Sequence, residues 1–247
     1  MSLTLGIDIG GSGIKGAPAD FDKGEFALPR LRIPTPRPAT PQACAQVMDE
    51  IVEHFGDETA GPVGITVPAP VIHGVTPSMA NLDQGWAGFA AQDFLAERLH
   101  RPVRLVNDAD AAGIAEMRFG AGRGKGGLVI MTTLGTGIGT ALFYDGVLIP
   151  NSELGHMEVD GHDAETRASS GYREREGLSW KKWAKSLQRY YAALERLLCP
   201  DLFIVGGGVS KKHDRFLPLL DLRTPIVPAQ LRNEAGIIGA ALAAAQG

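Results

Sequence analysis

The chain predicts an α/β fold built as two similar modules, and three observations carry that expectation. Apolar runs of strand length alternate with helical patterns from end to end. Each half opens with an apolar strand, a glycine turn and a second strand. The apolar run at 202–205 ends in three consecutive glycines, and an alanine-rich helical segment follows at 234–245.

Residues 3–9 read as a buried strand closed by Gly10-Gly11, and 14–19 as its returning partner in a hairpin. Residues 28–33 make a third strand, ended by the proline-rich stretch 34–38. Thr40-Pro41 has the form of a helix N-cap with proline at the first helical position, and Val47, Met48, Ile51 and Phe55 follow at helical spacing. Residues 63–67 are a strand. Residues 68–88, rich in Pro, Gly and Asn, read as a long loop, and loops of that length in compact domains are usually functional. Residues 89–99 are helical and 103–106 a strand, and Asn107-Asp108 opens a helix to about residue 119.

The second half repeats the pattern. Residues 128–133 are a strand, Gly135-Thr136-Gly137-Ile138-Gly139 a turn, 140–144 a strand, and Asp145-Gly146 a hairpin signal. Residues 151–177 read as polar and irregular. Residues 179–198 form a long helix with Trp180, Trp183, Leu187, Tyr190, Tyr191, Leu194 and Leu198 on one side. Residues 202–205 are a strand, and 234–245 an alanine-rich helix. Two α/β domains facing across a cleft are expected.

Of the 247 residues, 44% are apolar and 21% charged, the balance of a folded globular chain. A net charge of -4 provides no global field toward nucleic acid or a membrane, so a polyanion must be held by a local basic patch. No apolar run is long enough to span a bilayer, and the first residues show no leader pattern. Cys44 and Cys199 both lie in apolar helical patterns, without a second Cys or a His at metal-ligand spacing. They read as buried reduced thiols of a cytoplasmic protein.

Three glycine turns each follow an apolar strand: Gly10-Gly11-Ser12-Gly13, Gly135-Thr136-Gly137-Ile138-Gly139 and Gly206-Gly207-Gly208. Without a Cβ, their N–H groups can approach phosphate oxygens closely. None has the P-loop spacing or a dinucleotide fingerprint, which argues against a Rossmann dehydrogenase. Asp8, at the end of the first strand, can hold magnesium directly or through water, or it is a turn-forming Asp. Lys15 either neutralises phosphate charge or is a solvated lysine. Asn107-Asp108, at a strand-to-helix junction, by itself reads as a plain N-cap. Asn81 in the long loop, with Glu153 and His156 in Glu153-Leu154-Gly155-His156, adds groups suited to sugar hydroxyls.

The segments Asp8-Ile9-Gly10-Gly11-Ser12-Gly13-Ile14-Lys15, Val106-Asn107-Asp108, Leu134-Gly135-Thr136-Gly137-Ile138-Gly139, Glu153-Leu154-Gly155-His156 and Val205-Gly206-Gly207-Gly208 occur in an order that resembles the ROK family of sugar kinases. The resemblance implies the two-lobed actin-like ATPase (ribonuclease H-like) fold, with lobes at 1–108 and 109–233 and the closing helix 234–247 packing back on the first. It implies that Asp108 accepts the proton of the sugar 6-hydroxyl, and that Asn81, Asn107, Asp108, Glu153 and His156 bind the sugar. Glu174 is the further sugar-binding Glu it implies, with Glu176 as the alternative. It also implies a homodimer.

Members of the family often carry a Cys-rich zinc loop after the Glu-x-Gly-His motif. Residues 157–177 contain no Cys, so no zinc is expected. Residues 153–163, Gly177-Leu178-Ser179-Trp180 and Leu222-Arg223-Thr224-Pro225-Ile226-Val227-Pro228 resemble the members that phosphorylate glucose from inorganic polyphosphate, with or without ATP. Lys211, Lys212, His213 and Arg215 follow the third glycine turn, either as a patch that guides a polyanion or as a solvated helix face. The alternatives are a strictly ATP-dependent hexose kinase, a ROK-type regulator and an actin-like assembly protein. A first strand near Leu3 leaves no room for a preceding DNA-binding module, and the Asn107-Asp108 and Glu153/His156 set argues against an assembly protein.

Overall fold

The computed structural model describes residues 3–56 and 58–246. In chain order the strands and helices of the first half are β1 (Thr4–Gly10), β2 (Gly13–Asp20), β3 (Glu25–Phe26), β4 (Leu31–Ile33), α1 (Pro41–His54), β5 (Val63–Val67), α2 (Ala91–Leu99), β6 (Val103–Asn107) and α3 (Asp108–Phe119). They are followed by β7 (Leu128–Leu134), β8 (Ile138–Tyr144), β9 (Val147–Ile149), β10 (Glu158–Val159), β11 (His162–Asp163), α4 (Glu165–Ala168), α5 (Ser170–Arg175), α6 (Trp180–Leu198), β12 (Leu202–Gly206), β13 (Ile226–Pro228) and α7 (Ala235–Gln246). The chain forms two compact units, Met1–Ala115 with Glu234–Gly247, and Glu116–Asn233. The division falls inside α3 and not at residue 108, because α3 is one continuous helix and its first turns pack with the first unit.

In the first unit the sheet runs β3-β2-β1-β5-β6, with β4 also on β2. β1 and β2 are an antiparallel hairpin in which Ile9 faces Ile14 and Asp8 faces Lys15, while β5 and β6 continue the sheet in parallel. The period-2 alternation of β1 divides its two faces. Leu5, Ile7 and Ile9 join the core with Cys44, Met48 and Ile51 of α1 and Leu95 of α2. Gly6 and Asp8 point to the other face, where α7 lies. A Cβ on Gly6 would sit 2.0 Å from the Ile237 carbonyl oxygen, and one on Gly64 1.8 Å from that of Ala240. The helix therefore rests on backbone, and its own small residues make that approach sterically possible. α1 begins as expected, with Thr40 Oγ1 accepting the Ala43 N–H at 3.2 Å and Pro41 at the first position.

In the second unit the sheet order is β13-β12-β7-β8-β9, with β7–β8–β9 antiparallel and β12 and β13 parallel to β7. α6 buries Trp183, Leu187, Tyr190, Tyr191 and Leu194. Burial of each contributes about 2 kcal/mol. Tyr191 Oη and Thr132 Oγ1 are 2.6 Å apart, tying α6 to β7.

Four expectations are corrected. Residues 151–177 are not irregular: they hold the β10–β11 ribbon and the short helices α4 and α5. The third strand is regular only over Leu31–Ile33, with β3 added before it. α2 starts at Ala91, because Phe89 pairs with Thr76 in an isolated bridge. Cys199 is exposed, because it ends α6 in the left-handed conformation (φ 48°); Cys44 is buried, and desolvation pushes its thiol up to about 11. Among the described residues no helix is long and apolar enough to cross a membrane.

Candidate active site

In the first unit the structure brings the first glycine turn, Asp8, Lys15 and Asn81 together. Lys15 Nζ donates to Asp8 Oδ2 at 2.9 Å, and Thr66 Oγ1 donates to Asp8 Oδ1 at 2.9 Å. A Cβ on Gly11 would come within 3.8 Å of the Asn81 carbonyl oxygen, so the long loop runs beside the turn. Two residues not singled out in the sequence support that turn. Arg32 Nη2 donates to the Ser12 carbonyl at 2.7 Å, and the Thr35 hydroxyl donates to the Gly10 carbonyl. Arg32 reaches it because β4 pairs with β2 and places Arg32 opposite Lys15.

At the β6–α3 junction the two neighbours divide their labour. Asn107 is buried, and its Oδ1 accepts the N–H groups of Ala109 at 2.8 Å and Asp110 at 3.1 Å. Asn107 is therefore the N-cap. Asp108 is the first residue of α3, half-buried, with Oδ1 accepting the Ala109 N–H at 2.8 Å. The partial positive charge of the helix end attracts its carboxylate.

In the second unit the other two glycine turns are neighbours, since β7 and β12 are adjacent and Gly206 pairs with Thr133. Gly207 has φ 79°, and a Cβ there would lie 2.4 Å from the Leu134 carbonyl oxygen. Gly135 and Gly208 face open space. The turn at 135–137 is held from behind. Glu165 Oε2 accepts the Ile138 N–H at 3.0 Å, and the Gly135 carbonyl accepts the Gly171 N–H at 2.8 Å. A Cβ on Gly155 would lie 2.1 Å from the Ile138 carbonyl oxygen, so the Glu153–His156 segment packs directly on the same turn. Lys211, Lys212 and Arg215 lie exposed on the 3-10 helix that follows Gly207. Lys212 Nζ lies 6.0 Å from the centre of the Trp180 ring.

His156 Nδ1 is 2.9 Å from Asp163 Oδ2, and its Nε2 is 4.0 Å from Glu153 Oε2. The hydrogen bond with Asp163 raises the His156 pKa above its ordinary value, and nearby Glu165 adds to it. Burial raises the Glu153 carboxyl, an effect that His156 opposes. His156, Asp163 and Glu165 each offer a ligand atom within 4.8 Å of one another, a spacing that could accept a cation. Asp163 Oδ2 and Glu165 Oε2 are both already engaged in hydrogen bonds.

Glu174 and Glu176 are not part of this group. They lie exposed at the end of α5, beside Arg173 and Arg175, and among the described residues neither bonds to Glu153 or His156. The acid that does stand next to His156 is Glu165, where the family resemblance implied Glu174 or Glu176 as the further sugar-binding Glu. A lone Glu in a polar stretch carries no periodicity to mark it, although its two-residue distance from Asp163 is a weak signal.

A model of the ROK family matches residues 4–176. The chain is 50% identical over 240 residues to a polyphosphate glucokinase of Mycobacterium tuberculosis, covering 97% of this chain and 90% of that one. The crystal structure of an inorganic polyphosphate/ATP-glucomannokinase from Arthrobacter sp. strain KM matches with a TM-score of 0.94 and 53% identity, each chain covered in full. A ROK family glucokinase from Streptomyces griseus, in complex with glucose and AMPPNP, matches with a TM-score of 0.84 and 26% identity, over 99% of this chain and 100% of that one. The fold is therefore that of the actin-like ATPases, an α/β class with mixed sheets. Within that class, the chain belongs to the ROK family.

Proposed function

We propose that the chain is a phosphotransferase that moves a phosphoryl group from inorganic polyphosphate, with ATP as a second donor, to the 6-hydroxyl of glucose, giving glucose 6-phosphate. The observation that carries this reading is the half-buried Asp108 carboxylate at the start of α3, placed at the positive end of the helix that Asn107 caps. Asp108 accepts the proton of the 6-hydroxyl as the hydroxyl oxygen attacks the terminal phosphorus, and the P–O bond to the rest of the donor breaks, releasing polyphosphate shorter by one unit or, from ATP, ADP. Asn81 and Asn107 bind the sugar, Asn107 through its amide nitrogen because Oδ1 holds the helix. Glu153 and His156 take further hydroxyls. Glu165, and not Glu174, completes that set, since it stands beside His156.

The donor phosphates rest on the N–H groups of Gly10, Gly11, Ser12 and Gly13 and of Gly135, Thr136 and Gly137, with Gly206, Gly207 and Gly208 alongside. Lys15 and Arg32 supply positive charge. Lys211, Lys212 and Arg215 attract the rest of a long polyanion. Magnesium fits Asp8 as an ion held through water, because both carboxylate oxygens already accept hydrogen bonds from Lys15 and Thr66. The ion would neutralise charge on the donor phosphates. The reading uses no zinc. The family resemblance implies a homodimer, which light scattering tests, and the reduced cysteines suit a cytoplasmic setting.

Polyphosphate as donor is supported by the relatives at 50% and 53% identity. A strictly ATP-dependent glucokinase is the second reading, favoured by the Streptomyces griseus complex with AMPPNP at 26% identity. A coupled assay for glucose 6-phosphate, run with each donor and with and without magnesium, separates the two. Turnover with ATP alone would leave only the second, and no turnover with either donor would end both.

A further inference from the structure

We propose that Asp163 is a positioning residue for sugar binding. Its carboxylate holds the His156 ring so that Nε2 is presented, beside Glu153, to adjacent hydroxyls of the sugar. This deepens the sugar-kinase reading above and rests on it. The His156 side chain is 56% exposed and sits in a single 3-10 turn, Leu154–His156, so little packing fixes its ring. The β10–β11 ribbon supplies what packing does not. Asp160 (φ 53°) and Gly161 (φ 76°) both adopt the positive φ of a tight hairpin turn, and the returning strand brings Asp163 back to His156. Oδ2 of Asp163 then meets Nδ1 at 2.9 Å.

Asp163 is itself held. Its Oδ1 accepts the Glu165 N–H at 3.2 Å, and its carbonyl accepts the Thr166 hydroxyl at 2.6 Å. Glu165 in turn holds the Ile138 N–H at the glycine turn. The orientation of His156 is thus tied, bond by bond, to the segment proposed to receive the donor.

The chemistry follows from the donor and acceptor inventory. An ionised carboxylate only accepts, so Nδ1 carries the proton, and the neutral ring offers Nε2 as an acceptor. Nε2 and Glu153 Oε2, 4.0 Å apart, form a pair of acceptors for neighbouring hydroxyls of one ring. Without Asp163 the exposed imidazole can rotate, and the pair is lost.

The test is a double-mutant cycle on Asp163→Ala and His156→Ala, read by steady-state kinetics and by glucose titration calorimetry without donor. Asp163→Ala is expected to raise the KM for glucose about 10-fold or more, the usual cost of losing a group that orients a ligating histidine. The kcat should change by less than about threefold and the donor KM should stay in place, because the reacting atoms are untouched. Adding Asp163→Ala to His156→Ala should cost nothing further. Asp163→Asn, which keeps an acceptor oxygen, should recover part of the loss and serves where the alanine variant does not fold.

A wild-type glucose KM in Asp163→Ala, or losses that simply add in the double variant, would overturn the proposal while leaving the kinase reading intact. One equivalent of zinc bound to the wild type and lost with Asp163 would also overturn it. A wild type that turns over glucose with neither donor ends the kinase reading itself, and calorimetry then still reports whether Asp163 acts through His156.

Discussion

Asp8 and Lys15 face each other across the β1–β2 hairpin, with Oδ2 and Nζ 2.9 Å apart, while Thr66 holds the other carboxylate oxygen. The ammonium therefore sits beside the first glycine turn, pinned by a group that is itself pinned. Lys15→Ala is expected to raise the KM for the phosphoryl donor and lower kcat/KM by about 10²-fold, the scale for losing one preorganised charge-stabilising donor. The KM for glucose should hardly move. Initial rates with donor and sugar varied separately check this, and a change confined to glucose would remove Lys15 from the donor site.

Asp108→Asn keeps the size of the side chain and removes its capacity to take a proton. Asn107 does the capping, so the helix should persist. A drop in kcat of about 10²-fold or more is expected, the typical worth of a positioned base. Turnover near the wild-type level, in a variant whose melting temperature is unchanged, would take the role away from this residue.

The hydrogen bond from Asp163 raises the His156 pKa, and the sign of its effect on stability follows. A raised basic group adds stability that is complete below about 6.5, its ordinary value, and is lost as the pH rises through the elevated folded-state value. A ring-proton NMR titration should give a midpoint above 6.5 in the wild type, and a lower one in Asp163→Ala. Equal midpoints in the two proteins would contradict the contact.

Glu116 is fully buried and serves three backbone N–H groups. It accepts from Ala121 at 2.8 Å, Gln230 at 3.1 Å and Leu231 at 2.7 Å. Glu116→Ala would leave these part-buried donors without their acceptor, at about 1–3 kcal/mol for each that water does not reach. Urea unfolding should show a loss of about 3 kcal/mol or more, with Glu116→Gln less affected because one acceptor oxygen remains. A loss below about 1 kcal/mol would mean that the loops re-pair elsewhere.

What the sequence made readable was whatever has a period or a distinctive residue. The β1–β2 hairpin was visible because two apolar runs flank Gly10-Gly11-Ser12-Gly13, and α6 because its aromatic and leucine positions recur at helical spacing. Arg32 was not, since its place beside Ser12 depends on the pairing of β4 with β2, a contact between segments. Glu165 and Asp163 were not, because α4 is one turn long and β11 two residues, too short to show any pattern. Cys199 was misread for a similar reason. The apolar periodicity of α6 runs up to it, and only the backbone reversal at that residue turns it outward.

The close seating of α7 on Gly6 and Gly64 has a consequence for biosynthesis. The strands it covers are translated more than a hundred residues before the helix that shields their outer face. Until α7 is made, any sheet formed by those strands lacks the cover for its Gly6 and Gly64 face. Slowing translation ahead of residue 235 should lengthen that exposure without altering the finished protein.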